Sequence, residues 1–227
     1  IRRFFRIDFL KIIRGVFDMS EGEVQVTPFT LGTLVIKFQM PMQMVDEINN
    51  TYENAKDLPA FNSELAGKIE NEFKVTDVLS DNIKQFYVMC WREYTQRIQK
   101  PWWHCVPDNA WINDMKANEY NPFHIHSSSL TDLGLSSVVA LKKPSTYGVE
   151  YSRKENPSNG WLEFCGGQQD PLSISQLRVD AQIGDLYIFP YTLLHGVYPF
   201  NGTDEIRRTL SYNCNLFRDA LINKGNS

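Results

Sequence analysis

The sequence is poor in the residues that build stapled scaffolds. Its four cysteines, Cys90, Cys105, Cys165 and Cys214, stand far apart with no C-x-x-C pair. That argues against a disulfide framework or a zinc knuckle and fits reduced thiols in a cytoplasmic protein. No apolar run approaches the roughly 20 residues of a helical membrane span, so no transmembrane segment is expected. Positive charge is in deficit: 23 Lys and Arg against 27 Asp and Glu give a net charge of −4. No whole-protein field would steer polyanions, which argues against nucleic acid as a partner. Internal repeats, low-complexity tracts and a Pro/Gly/Ser linker are also missing, which leaves a single domain over 1–227 as the expectation. Histidine is scarce as well, at four residues.

What is present is an ordinary globular composition, 42% hydrophobic and 22% charged, with 13% aromatics and five Trp. An aromatic-lined interior or pocket follows from that excess; Trp102, Trp103, Trp111 and Trp161 could line a pocket, although such sets more often build a core. Residues 1–18 read as an N-terminal extension. Phe5, Phe9, Ile12, Ile13, Val16 and Phe17 recur at helical spacing between Arg2, Arg3, Arg6, Lys11 and Arg14. A basic amphipathic helix of this kind suits a membrane surface or a transit peptide, but a surface helix packed on a core is the preferred reading. Met19 offers an alternative start.

Two textures divide the remainder. Residues 19–100 form a mixed support region with an apolar strand over 33–40 and an amphipathic helix beginning at Pro41. A second helix is expected over 62–73 with Asn62 as its N-cap, and a third over 79–100 capped by Ser80 or Asp81. Ile83, Phe86, Tyr87, Met89, Cys90 and Tyr94 make the apolar stripe of that third helix. From 101 to 217 short segments rich in Val, Ile, Leu, Tyr and Phe alternate with Gly, Pro, Asn and Asp: 110–115, 136–144, 160–164, 175–180, 184–190, 195–200 and 207–217. The fold class is therefore mainly β with α: a double-stranded β-helix (jelly roll) core with N-terminal buttressing helices.

Within that core lies "NPFHIHSSSL". His124 and His126 sit at i and i+2, and in a regular strand both imidazoles would face one side. His195 closes "GDLYIFPYTLLH", where a buried strand breaks at Pro190. Imidazole is the usual ligand for iron, zinc, copper and nickel, and facing jelly-roll strands can supply three ligands to one side of a metal. Each histidine alone reads as an ordinary core or surface residue; the three together favour a metal site. Downstream, "IRRTLSYN" alternates so that Arg207, Thr209, Ser211 and Asn213 share one face. Gly184-Asp185 reads as a tight turn, with no catalytic role for Asp185.

"WINDMKANEYNPFHIH", "LSSVVALKKP", "GWLEF", "GDLYIFPYTLLHGVYPFNG" and "RRTLSYN" occur in this order over 111–215. Together they resemble the iron(II)/2-oxoglutarate-dependent dioxygenase superfamily, particularly its bacterial and phage-type oxygenases of unassigned substrate. The resemblance implies Fe(II) and 2-oxoglutarate as cofactors and oxidative decarboxylation of 2-oxoglutarate coupled to hydroxylation of a small-molecule or peptide substrate. It places His124, His126 and His195 at the metal, Arg207 with Thr209 at the distal carboxylate of 2-oxoglutarate (Arg208 as the fallback), and Asn113 as a further polar contact. An arginine suits that role because its planar guanidinium matches a carboxylate bidentately.

The superfamily pattern H-x-D/E…H is broken here, because His126 stands at the carboxylate position. Three readings remain: a neutral triad of His124, His126 and His195; His126 as first ligand with Ser128 at the carboxylate position; or a carboxylate from elsewhere, such as Asp132 or Glu163. The triad is preferred because the spacing from Asn113 puts His124 at the first-ligand position. A cupin is the runner-up: "GDLYIFPYTLLH" meets G-x5-P-x-G-x2-H except at Thr192, while the Glu expected after H-x-H is missing. A non-catalytic jelly-roll binding module is the third reading, and it requires no metal.

Overall fold

A computed structural model describes residues 32–151, 154–167 and 173–218. The basic segment 1–18 and its expected helix lie outside the described residues. The described residues from Thr33 on cluster as one compact unit.

Among the described residues, ten strands and two helices follow in chain order: β1 (Ile36–Gln39), α1 (Met42–Asn54), β2 (Asn71–Lys74), α2 (Asp81–Arg97), β3 (His104–Met115), β4 (Asn121–His124), β5 (Gly134–Lys142), β6 (Leu162–Cys165), β7 (Gln176–Val179), β8 (Asp185–Pro190), β9 (Leu194–Val197) and β10 (Arg207–Phe217). The strands form a six-stranded sheet in the order β1-β8-β5-β10-β3-β2 and a four-stranded sheet in the order β4-β9-β6-β7. All pairings are antiparallel. This two-sheet architecture is the expected jelly roll, with helices packed on the larger sheet.

Strand alternation sorts the larger sheet into two chemistries. Leu210, Tyr212, Ile112, Val139, Leu186 and Ile188 point to the helical layer and join Val45 and Ile48 of α1 and Ile83, Tyr87, Cys90, Trp91 and Tyr94 of α2 in one core cluster. Their neighbours in sequence, such as Thr209 and Ser211, face the smaller sheet and line the cavity between the sheets. Tyr212 meets Tyr87 and Trp91 with ring centroids 5.0 Å away in each case, in edge-on geometry. Burying aromatic side chains of this size contributes about 2–3 kcal/mol each.

The α2 N-terminus forms where the sequence suggests, because the Ser80 Oγ accepts the Ile83 N–H at 3.3 Å and satisfies one orphan donor. Its stripe needs one correction: Met89 is 61% exposed, whereas Trp91 is fully buried. The expected helix over 62–73 is a larger correction. Only Asn62–Glu64 make a 3-10 turn, and residues 71–74 pair with β3 instead. Gly67 at φ +130° breaks the chain away from helical geometry. Asn62 does not cap a helix; its amide donates to the carbonyls of Ile69 and Glu70 at 2.8 Å. Among the described residues, no helix is long and apolar enough to cross a membrane.

Candidate metal and cosubstrate site

The antiparallel pairing of β4 with β9 sets His124 opposite His195, and β6 places Phe164 on the other side of His195. β4 ends at His124, so His126 is not held by strand pairing. It reaches the same point because its N–H donates to the Tyr191 carbonyl at 2.9 Å, just after β8. Tyr191 is in turn anchored by its own N–H to the Gly134 carbonyl at 3.0 Å. Gly134 has to be glycine, since a Cβ there would lie 2.0 Å from the Tyr191 ring.

The three imidazoles therefore converge, with ligand nitrogens all within 4.8 Å of one another. The Nδ1–H of His124 donates to the Pro122 carbonyl at 2.7 Å and that of His195 to the Leu193 carbonyl at 2.8 Å. Each bond fixes the tautomer and leaves Nε2 with its lone pair facing the cluster. The Nε2 atoms of His126 and His195 are 3.1 Å apart. Two nitrogens at right angles on one ion, with bonds of about 2.1 Å, would be about 3.0 Å apart, so the donor set fits a single transition metal. Burial holds all three rings neutral. It lowers the pKa of His124, pushes His195 down to about 3 with help from His124, and holds His126 well below the usual range with help from both neighbours. A neutral imidazole is the form that binds a metal.

One cavity of about 390 Å³ contains His124, His126, His195, Asn113, Arg207 and Thr209 in its lining. On the β10–β3 ladder, Thr209 lies opposite Asn113 and Arg207 opposite Met115. Asn113 Nδ2 donates to Thr209 Oγ1 and Ser211 Oγ, each at 3.3 Å, while its Oδ1 is buried without a partner. Arg207 is 5% exposed, and no carboxylate pairs with it among the described residues. Burial lowers its pKa, offset in part by the Tyr147 hydroxyl, its hydrogen-bonding neighbour, and by the more distant Asp180 carboxylate. A buried guanidinium facing a cavity with no direct ion pair is a receptor for an anion.

The adjacent Arg208 faces the other way. Its Nε and Nη2 grip Asp114 at 2.6 and 2.8 Å, its Nη1 reaches Glu53 at 2.7 Å and Asn49 at 3.1 Å, and its guanidinium stacks 4.6 Å from the Tyr52 ring. It ties α1 to the sheet and has no place in the cavity.

None of the alternative ligands enters the cluster. Ser128 Oγ accepts the Leu130 N–H at 3.1 Å in a local turn, Asp132 is exposed, and Glu163 is paired with Arg178 at 2.9 Å. Of the tryptophans, Trp111 lines the cavity, whereas Trp102 and Trp103 line a separate hollow. Asp185 forms an ion pair with Lys37 at 2.7 Å, a structural role. Sequence reasoning missed Tyr147. It comes from an irregular segment, and its ring lies where a Cβ on Gly160 would come within 2.3 Å.

Residues 109–213 match the family model described as "Putative 2OG-Fe(II) oxygenase". No curated protein matches in sequence. Among solved structures, a prolyl-4-hydroxylase from Pseudomonas putida aligns with a TM-score of 0.52 at 13% identity, covering 81% of this chain and 92% of its own. The collagen prolyl hydroxylase of Paramecium Bursaria Chlorella virus-1, in its 2-oxoglutarate complex, aligns at 0.51 and 12%, with 80% and 96% covered. The α-ketoglutarate-dependent epimerase SnoN of nogalamycin biosynthesis aligns at 0.50 and 15%, covering 79% and 77%. The fold is thus the jelly roll that these structures share, and the three imidazoles on one cavity could hold a metal ion. The matched segment, residues 109–213, is similar to that of 2-oxoglutarate- and iron(II)-dependent oxygenases.

Proposed function

We propose that the protein couples oxidative decarboxylation of 2-oxoglutarate to hydroxylation of a substrate C–H bond, with His124, His126 and His195 as the iron ligands. The observation that carries this reading is the convergence on one cavity of three imidazoles and of Arg207, buried with no direct ion pair among the described residues. Bound iron(II) supplies the oxygen activation that links the two half-reactions.

The chain's own residues prepare that site. The Pro122 and Leu193 carbonyls hold His124 and His195 in the ligating tautomer. Arg207, positioned by Tyr147, holds the distal carboxylate of 2-oxoglutarate through charge-assisted hydrogen bonds, with the Thr209 hydroxyl beside it. Asn113, whose amide already spans Thr209 and Ser211, fixes the polar wall along which the cosubstrate lies. Leu162, Phe189 and Val197 supply the apolar part of the lining and limit water near the reacting carbon.

Binding measurements test this. One iron(II) per chain should bind, His195→Ala should abolish it, and 2-oxoglutarate should bind the iron-loaded protein. Iron retained with no 2-oxoglutarate affinity would move the reading to a cupin-type metalloenzyme. No transition metal at all would leave a jelly-roll binding module.

A further inference from the structure

One row of the larger sheet crosses three adjacent strands. Thr209 on β10 lies opposite Asn113 on β3, and Asn113 lies opposite Glu72 on β2, an edge strand. Residues directly opposite in antiparallel strands point to one face, with Cβ atoms about 4.5–5.5 Å apart. Thr209, Ser211 and Asn113 line the cavity, and Glu72 stands behind Asn113. Asn113 is 6% exposed and Glu72 only 2%.

These two neighbours each bury an orphan oxygen: Asn113 Oδ1 and Glu72 Oε1 have no hydrogen-bond partner among the described residues. The Asn113 Nδ2 is already committed to Thr209 and Ser211. Two acceptors side by side do not satisfy each other, but one proton on the carboxyl satisfies both. The surroundings favour that proton, since burial and the Glu119 carboxylate raise the Glu72 pKa to about 7. Glu119 is held in place by the Glu70 N–H at 3.0 Å and the Lys116 N–H at 2.7 Å. The other charged groups around β2 are engaged or exposed. Lys116 Nζ pairs with Glu70 at 2.6 Å, and Lys74 Nζ lies 5.9 Å from the centre of the Phe61 ring. Glu64, Lys68 and Tyr120 are exposed, Asp114 grips Arg208 on the opposite face, and Arg207 lies opposite Met115.

Resting on the oxygenase reading above, we infer that Glu72 is a positioning residue: as a neutral acid it donates to Asn113 Oδ1 and fixes the amide. The Thr209 and Ser211 hydroxyls, each accepting from Nδ2, then keep their own protons to donate to the distal carboxylate of the cosubstrate. Loss of the Glu72 proton reverses the row. The amide turns over, Nδ2 donates to Glu72, Oδ1 accepts from the two hydroxyls, and the wall meets an anion with acceptors.

The test is the pH profile of 2-oxoglutarate binding to the iron(II)-loaded protein, titrated without oxygen. The cosubstrate is a dianion throughout the range, so its own charge is constant. Wild type should bind about fivefold to tenfold more weakly at about pH 8 than at about pH 6, because the protonated fraction falls by that factor across a pKa of about 7. Glu72→Gln keeps a neutral donor and should rescue the affinity at the higher pH to within about twofold of that at the lower. Glu72→Leu offers no donor and should bind at the weaker level at both. A merely structural Glu72 would shift stability without this profile. In the metal-free protein, the infrared band of a protonated carboxyl should be present at the lower pH, lost in Glu72→Gln and shifted in Asn113→Leu. The band and the Glu72→Gln comparison suffice if Glu72→Leu fails to fold. A flat wild-type profile, an equal fall in Glu72→Gln, or a band indifferent to Asn113→Leu would overturn the inference. No 2-oxoglutarate binding at either pH, with the band behaving as expected, would sink the oxygenase reading and the cosubstrate role of this wall, and leave the Glu72–Asn113 hydrogen bond standing.

Discussion

Adjacent arginines on β10 should respond to the same substitution with opposite sign. Arg207 is buried without a carboxylate partner, and burial already lowers its pKa. Its guanidinium is therefore desolvated with little return in the cofactor-free fold. Arg207→Met keeps the volume and removes that cost. Replacing buried charge by apolar groups is often neutral to stabilising, and about 1–2 kcal/mol is expected here. For a chain of this size that raises Tm by roughly 2–8 °C. Arg208 is equally buried but grips Asp114 through two bonds, of 2.6 and 2.8 Å. Arg208→Met strands that carboxylate and should cost about 3–5 kcal/mol, or roughly 6–20 °C. Cosubstrate binding runs the other way. Arg207→Met removes a buried charge-to-charge contact, commonly about 2–5 kcal/mol, so 2-oxoglutarate should bind about 30-fold to several-thousandfold more weakly. Folded Arg208→Met should retain affinity within a few fold, because its side chain does not line the cavity. Urea titration and scanning calorimetry give the stabilities, and isothermal titration on metal-loaded protein gives the affinities. Wild-type 2-oxoglutarate affinity in Arg207→Met, or a stability loss there as large as in Arg208→Met, would refute the assignment of the two side chains.

Gly134→Ala should weaken metal binding without touching a ligand. The added Cβ would meet the Tyr191 ring at 2.0 Å, and the Tyr191 carbonyl holds the His126 N–H. Overpacking of this kind costs about 1–3 kcal/mol, and at least a tenfold loss of metal affinity by competition titration is expected; unchanged affinity and Tm would contradict it. Glu72, 2% exposed with Oε1 unpartnered, has its pKa raised to about 7 by burial and by Glu119. The folded state thus holds this proton more tightly than the unfolded chain, so its contribution is greatest below about pH 4 and is lost as pH rises through about 7. Glu72→Gln should flatten the fall in stability between pH 5 and pH 8 and stabilise the protein at pH 8 by on the order of 2 kcal/mol. An unchanged pH profile from urea melts at several pH values would count against it.

The parts of the fold legible in the sequence were those where one strong pattern acts alone. β10 was read at its observed bounds, 207–217, because polar and apolar residues alternate there without a break. The same alternation separated Arg207 from Arg208 in direction, although not in role: Asp114 and Glu53, which occupy Arg208, come from β3 and α1 and share no local signal with it. Residues 62–73 were misread because Leu65, Ile69 and Phe73 recur at a four-residue interval that a helix would use. Pairing of Asn71–Lys74 with β3 overrides that spacing. Met89 was placed in the α2 stripe for its apolarity, yet at 100° per residue it lies about 120° from Ile83, while Trp91 lies about 80° away. The His124/His126 pair pointed to a cluster with His195, but for an incomplete reason. Strand periodicity does not hold His126; a backbone bond to Tyr191 does. Tyr147 was invisible as a partner of Arg207, because it lies in an irregular segment and follows no period or motif.

The most direct test of the enzyme assignment is turnover. Purified protein, supplied with iron(II), oxygen, 2-oxoglutarate and ascorbate as the two-electron reductant that stands in for substrate, should release succinate and carbon dioxide in equal amounts. Omitting iron or oxygen, or introducing His195→Ala, should abolish it, and Arg207→Met should depress it while leaving bound iron in place. Iron bound at one per chain with no succinate formed and no 2-oxoglutarate bound would contradict the account.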